Sequence, residues 1–228
     1  MFTGFPKDSI KFFKDLEKNN NRNWFAENKA RYEDVLLNPA LELVTEIAEP
    51  LRKKVSPHFL AVAKKSGGSL MRIYRDIRFS KNKTPYKTNL GIHFRHEAGK
   101  DVHAPGFYFH IDAKEIFVGA GIWHPDSKTL GMIRSLIDDD PKYWKRSKNS
   151  KAFKSAFELH GDSLKRPPRG YDANHPLIDD LKRKDHIGLL SLSRSDIYDR
   201  KLIDKLITNF KAAKPFVRFL CDAIHQPC

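Results

Sequence analysis

Phe107-Tyr-Phe-His-Ile-Asp-Ala-Lys-Glu-Ile-Phe-Val-Gly-Ala-Gly-Ile-Trp123 decides the class of fold. Phe107, Phe109 and Ile111 alternate with Tyr108, His110 and Asp112, the period of a strand with one apolar and one polar face. Ile116 to Trp123 is again β-rich, lightened by Gly119 and Gly121. Ala113-Lys114-Glu115 between them is short enough for a hairpin. Upstream, Leu90, Ile92 and Phe94 alternate in the same way, and Leu70 to Tyr74 reads as a further strand, about four in all. Connections this short exclude parallel crossovers, so the sheet is expected to be mostly antiparallel.

Helical periods lie on both sides. Ile10, Phe13 and Leu16 predict a helix over 7–19, broken at Asn19 to Asn21. Asn21 then caps a second helix, with Trp24, Asn28 and Tyr32 on one face. Asn38-Pro39 ends that helix and starts another, whose stripe is Leu41, Val44, Ala48, Leu51 and Val55, with Pro50 expected to kink it or end it early. After the sheet, Asp126 caps a helix carrying Leu130, Ile133 and Ile137, residues 142–158 read as helical, and His175-Pro176 opens a short helix through Lys184. Ile187 to Leu192 is a candidate strand. Residues 196–224 form a last helical stretch, interrupted at Pro215. The expectation is one α+β domain over residues 1–228, its central sheet packed by N-terminal and C-terminal helices.

Between the first helices and the sheet lies Ser69-Leu-Met-Arg-Ile-Tyr-Arg-Asp-Ile-Arg-Phe-Ser-Lys-Asn-Lys-Thr-Pro-Tyr-Lys87. Six cations, Arg72, Arg75, Arg78, Lys81, Lys83 and Lys87, stand against one acid, Asp76. They are interleaved with Met71, Ile73, Ile77 and Phe79, which are expected to anchor the segment in a core. In an extended strand Arg75 projects among apolar residues and needs an anion, with Glu27 or Asp112 as structural partners. Guanidiniums gathered in this way fork onto phosphate or carboxylate oxygens. The bland reading is an ion-pair network tying helix to sheet. Desolvating so many cations costs several kcal/mol each unless compensated, which favours a ligand. Tyr86 would form a wall of the site.

A second constellation is Lys165-Arg-Pro-Pro-Arg-Gly-Tyr-Asp-Ala-Asn-His-Pro176. Proline and glycine aim a loop bearing Arg169, Tyr171 and His175. Folded over the central segment, it would add a cation and two groups suited to proton transfer, so Asp76, Tyr171 and His175 are the candidate catalytic residues. The bland reading is a surface crossing, with His175 a helix cap. Asn28 is either a satisfied core amide or a side chain reaching into the site.

Other chemistries find less support. His93, His110 and His124 lie on or beside strands, and His110 and Asp112 share a face. No HExxH or CxxC spacing exists, so no metal is expected. There is no G-x-S-x-G, and Cys221 sits in an apolar helix where a thiol is inert. No P-loop or dinucleotide fingerprint implies a cofactor. Gly119 and Gly121 read instead as letting something lie close to a strand.

Composition bounds the rest. The chain has 228 residues, 40% hydrophobic and 11% aromatic, enough for a core without staples. Lys plus Arg is 42 against 28 acids, a net charge of +14 that favours polyanions. No apolar run is long enough to span a bilayer, no signal peptide is evident, and two cysteines suggest a reducing cytoplasm. The expected partner is an anionic small molecule. The alternatives are nucleic acid on a broad basic face, with Trp24, Tyr74, Tyr86 and Trp123 as stacking platforms, or a protein-interaction domain held by ion pairs. Sequence leaves open whether the protein is an enzyme and how many copies assemble.

Several stretches together resemble an uncharacterised family, a domain of unknown function found in bacteria and fungi. They are Phe2-Thr-Gly-Phe5, Asn20-Asn-Arg-Asn-Trp-Phe25 with Asn28, Lys29 and Tyr32, Arg72 to Lys87, Gly119-Ala-Gly-Ile-Trp123, Leu164 to Asp172 and His175-Pro176. The resemblance implies a single domain filling the chain. It brings no reaction, cofactor or catalytic residue.

Overall fold

The computed structural model describes residues 1–99 and 104–228. Helices α1 (Asp8–Lys18), α2 (Arg22–Glu27) and α3 (Lys29–Tyr32) lead through a π-helical turn, Glu33–Leu37, into α4 (Asn38–Lys54). Asn21 caps α2 as expected, its side chain accepting from the Trp24 amide. Asn38-Pro39 does not end a helix. The wider π turn feeds directly into α4, where proline is tolerated in the first turn. Ser9 is fully buried, and its Oγ lies 2.7 Å from the Val35 carbonyl, inside that turn. Pro50 falls in the last part of α4 and does not stop it.

The sheet is five-stranded and antiparallel, in the order β1-β2-β3-β5-β4. Its strands are β1 (Asn89–Arg95), β2 (Gly106–Asp112), β3 (Ile116–Ile122), β4 (Glu158–His160) and β5 (His186–Ser191). The α+β class and the helical flanks are as expected; two details are corrected. Leu70 to Tyr74 is not a strand: among the described residues its one backbone bridge to the sheet is Leu70–Ile92, and Tyr74 pairs instead with Tyr86. Residues 142–158 are not one helix but α6 (Pro141–Lys148), α7 (Lys151–Ala156) and the start of β4.

Leu90, Ile92 and Phe94, then Phe107, Phe109 and Ile111, then Val118, Ala120 and Ile122 turn one face of the sheet to the helices, and all are buried. The long C-terminal helix α10 (Leu202–Ala223) lies across that face. Its Phe210 meets Phe107 at 4.6 Å and Phe94 at 5.4 Å between ring centres, and Phe216 stacks on Phe153 at 4.8 Å. Pro215 does not interrupt α10. It is exposed, so water can satisfy the carbonyl that its ring leaves unpaired. Helix α5 (Ser127–Asp139), capped by Asp126, and the short α8 (Ile178–Leu181) and α9 (Arg194–Ile197) complete the chain. No described helix is long and apolar enough to cross a membrane.

Arg31 ties the N-terminal helices together. Its guanidinium forks onto Asp8 at 2.6 and 2.8 Å and reaches Asp15 at 2.9 Å. That contact holds the Asp8 carboxyl below its usual range. The cluster is a quarter to a third exposed, so solvent discounts it. Arg31→Met should cost about 1 kcal/mol in chemical denaturation at low salt, and less in molar salt. A loss that ignores salt would assign the effect to packing on Phe12.

Candidate functional site

The second face of the sheet carries no helix layer and is hollow. Strand alternation sends Tyr108, His110 and Asp112 to it, and the register sets His93 opposite Tyr108, Tyr108 opposite Gly119, and Gly119 opposite Leu189. Glycines clear the floor. A Cβ at Gly91 would lie 2.5 Å from the Tyr108 hydroxyl, and one at Gly106 would lie 2.8 Å from His93 Nε2. The result is a groove of about 530 Å³. Met71, Phe117, Leu189, Ile187 and the half-exposed Trp123 make it apolar, while Lys87, His93, Tyr108 and His110 supply its polar groups.

Three of these side chains are wired in series. The Tyr108 hydroxyl lies 3.2 Å from His110 Nδ1, and His110 Nε2 lies 3.1 Å from Asp112 Oδ2. The imidazole is stacked flat on Phe117, 4.5 Å between centres and 11° from parallel. Asp112 Oδ1 accepts the Lys114 and Glu115 amides at 2.6 and 2.7 Å, which fixes the carboxylate at the mouth of the hairpin. Burial opposes the Asp112 charge, but those amides and His110 outweigh it and keep the carboxyl below its usual range. Burial, followed by the Asp112 charge, pushes Tyr108 up to about 12. A carboxylate only accepts, so in neutral His110 the proton sits on Nε2 and Nδ1 is left to accept from Tyr108.

The central segment forms one wall. Residues 73–75 and 85–87 pair as a narrow ribbon: Arg75 N donates to Pro85 O at 2.9 Å and Lys87 N to Ile73 O at 2.7 Å. Asn20 clasps this ribbon to the helices, bonding both the Tyr86 amide and its carbonyl. Tyr86 is buried and stacks on Phe25 at 4.0 Å. Arg75 is half-buried on a polar cleft rather than among apolar residues, and neither Glu27 nor Asp112 pairs it. Its guanidinium bonds Thr84 Oγ1, the Thr84 carbonyl at 3.3 Å and Ser80 Oγ at 3.5 Å, all neutral acceptors. Arg78 is saturated by Asp76 at 2.7 and 3.0 Å, in the open. That pairing holds Asp76 down at about 2, so Asp76 is a poor proton acceptor at neutral pH. Lys83 caps the Ile77 carbonyl at 2.9 Å. Phe79 anchors nothing: at the tip it is 94% exposed, with Arg78 over its ring.

Of the six cations, Lys87 stands apart. It lines the groove on one side and a polar cleft of about 370 Å³ on the other, shared with Arg75, Tyr86, Asn20 and Thr84. Its ammonium makes no hydrogen bond or ion pair with any described residue. Burial lowers its pKa, and the Arg72 charge lowers it further. Arg72 and Lys81 are exposed.

The second loop does not reach the central segment. Tyr171 lies against α5, where burial and then Asp138 raise its pKa. His175 bonds Asp138 at 3.0 Å through Nε2 and accepts the Leu177 amide at 3.1 Å through Nδ1, in the turn ahead of α8; it is not the cap of that helix, whose N-cap is Leu177. Arg169 is exposed, and no described hydrogen bond, ion pair or ring contact joins residues 165–176 to 69–87. Asn28 bonds the Trp24 carbonyl at 2.9 Å, where α2 passes into α3. His110, Asp112 and Glu115 place their ligand atoms within 4.8 Å of one another and could hold a cation, although Asp112 is already engaged by the hairpin amides and Glu115 is exposed.

Tyr108, His110 and Asp112 were visible in sequence as the polar half of an alternating strand. What sequence did not show is that this half faces a groove rather than water. No curated protein and no solved structure gives a significant match to the chain. The chain does match the model of a family described as a conserved hypothetical protein, DUF2461, over residues 8–219, and it belongs to that family.

Proposed function

We propose that the protein binds an organic anion, its apolar or aromatic body lying in the groove of the sheet and its phosphate or carboxylate group at Lys87. The observation that carries this reading is the Lys87 ammonium: partly buried at the wall of an apolar groove, beside Arg72, and in no ion pair with a described residue, although Glu17 lines the polar cleft on its other side. A desolvated cation of that kind costs free energy that a ligand anion recovers. Arg75 supports the reading from the polar cleft, since its partners there are neutral.

Anilinonaphthalene sulfonate has this shape, an aromatic body with one anionic group, and its fluorescence reports an apolar site. It should titrate to a single saturable site. Lys87→Met should weaken it about 10-fold, the loss of one charge-assisted contact. Equal affinity in Lys87→Met and wild type would overturn the reading.

The exposed tip favours a second reading. Phe79 stands in solvent beside Arg78, with Lys81 exposed nearby, a stacking platform among cations. Single-stranded oligonucleotide should then bind with a steep salt dependence and lose affinity in Phe79→Ala while the sulfonate probe is unaffected. Salt-independent or absent binding would remove this reading.

A further inference from the structure

The geometry points to the groove as a site of proton transfer, in which Tyr108 Oη exchanges a proton with the bound ligand and His110 takes or returns that proton under the hold of Asp112. This rests on the groove being the ligand site. Asp112 is fixed by two backbone amides, His110 is fixed by Asp112 and by its stack on Phe117, and the Tyr108 hydroxyl is fixed by His110. Only the last member needs contact with ligand. Gly91 is what allows the phenol to stand where it does, since any Cβ there would collide with it. The relay is also one-directional. Asp112 cannot donate, so the neutral imidazole presents Nδ1 to the phenol, and the phenol donates to Nδ1. A lone pair on Oη is then the group left to meet an acidic C–H, O–H or N–H of the ligand.

In the forward step the ligand's proton goes to Tyr108 Oη as the phenol's own proton passes to His110 Nδ1. His110 becomes an imidazolium beside the Asp112 carboxylate, and the ligand keeps the electron pair as an anion. Lys87, on the wall of the same groove, is the cation placed to meet that charge. No oxidant or further reactant enters. The groups facing His110 are Tyr108 and Asp112 along the strand and Phe117 from β3, with Glu115 at the hairpin.

A nitrobenzisoxazole tests this without a known substrate. Its ring is aromatic and apolar, and it opens when a base removes the ring C–H. The N–O bond breaks, a nitrile forms, and the oxygen departs with the electron pair as a coloured phenolate. The intact protein should turn it over with saturation. Tyr108→Phe and His110→Gln should each lower kcat about 100-fold with KM little changed, the usual size of a general-base contribution. Asp112→Asn should lower kcat at least as far: with Oδ1 held by the hairpin amides, its NH2 group would face His110 Nε2, and the imidazole proton would move to Nδ1, which can then no longer accept from Tyr108. Sulfonate-probe affinity, measured on every variant, separates the two ideas. Retained affinity in Tyr108→Phe with lost turnover supports the relay. Turnover no faster than buffer in a wild type that binds the probe overturns it, as does a Tyr108→Phe rate equal to wild type. If Lys87→Met keeps full probe affinity, the binding reading fails on its own count.

Discussion

Gly121→Ala is expected to leave no folded protein. Gly121 has φ of +126°, a conformation that L side chains rarely adopt, and a Cβ there would stand 2.0 Å from the His186 carbonyl oxygen and 3.0 Å from Phe216. Neither neighbour can retreat. His186 belongs to β5, which is held between β3 and β4, and Phe216 is a fully buried residue of α10. Strain and overlap together should cost more than roughly 5 kcal/mol, enough to unfold a domain at the lower end of ordinary stability. Gly119→Ala is the control, two residues away on the same face. Its Cβ would meet Tyr108 Cβ at 3.4 Å and Leu189 at 3.6 Å, ordinary contacts, so it should fold with a change within about 1 kcal/mol. Soluble expression and thermal melts of the two variants decide the matter. A Gly121→Ala melting within a few degrees of wild type would show that the β3–β5 register is slacker than described.

The second large effect is acid instability centred on His186. This side chain is fully buried, neither ring nitrogen has a hydrogen-bond partner among the described residues, and Trp144 meets it edge-on at 5.8 Å. Burial, then the Arg183 charge, lowers its pKa to about 3. The unfolded chain takes up the proton near 6.5, whereas the folded chain resists until about 3. Protons therefore favour the unfolded state as pH falls through that window, at up to about 1.4 kcal/mol per pH unit. Stability should be flat above about pH 7 and lower by on the order of 3 kcal/mol at pH 4 from this group. His186→Leu, similar in volume and without orphaned nitrogens, should flatten that slope and raise stability at neutral pH. Urea midpoints at stepped pH provide the measurement. A variant whose acid limb matches wild type would move the cause to the carboxylates.

How much of this was legible follows from what each signal measures. Alternation measures which side chains face opposite ways, so β2 and β3 were read closely, and the class of fold with them. It does not say what covers each face. In sequence Tyr108, His110 and Asp112 are a polar row, with His110 and Asp112 as paired ligand types, and nothing there places a groove over them. The central segment misled in the other direction. Its hydrophobic spacing suggested a strand with Phe79 inward, but Pro85 and the local bonds of Arg75, Asp76 and Lys83 fold it into a ribbon with the tip in water. The expected convergence of Arg169, Tyr171 and His175 on that segment was a guess about tertiary distance, for which a single sequence holds no signal. At Asn38-Pro39, Pro50 and Pro215 local rules were overridden. Pro39 lies in a first turn, where no amide is needed, while Pro50 and Pro215 each leave a carbonyl one turn back unpaired at a half-buried or exposed position, and the buried faces of α4 and α10 hold the helices continuous.

β1 is the outer strand on its side of the sheet, and its free amides and carbonyls are taken up by single bonds from the preceding chain: Met71 N to Gly91 O, His93 N to Ser69 O and Leu60 N to Arg95 O. The chain that leads into the cation-bearing ribbon is thus also a bandage on an edge that would otherwise recruit a strand from another molecule. Peeling it away would bare that edge and the apolar floor of the groove in one motion. Anything that seats the ribbon against the sheet, an occupied Lys87 included, therefore also guards the protein against self-association.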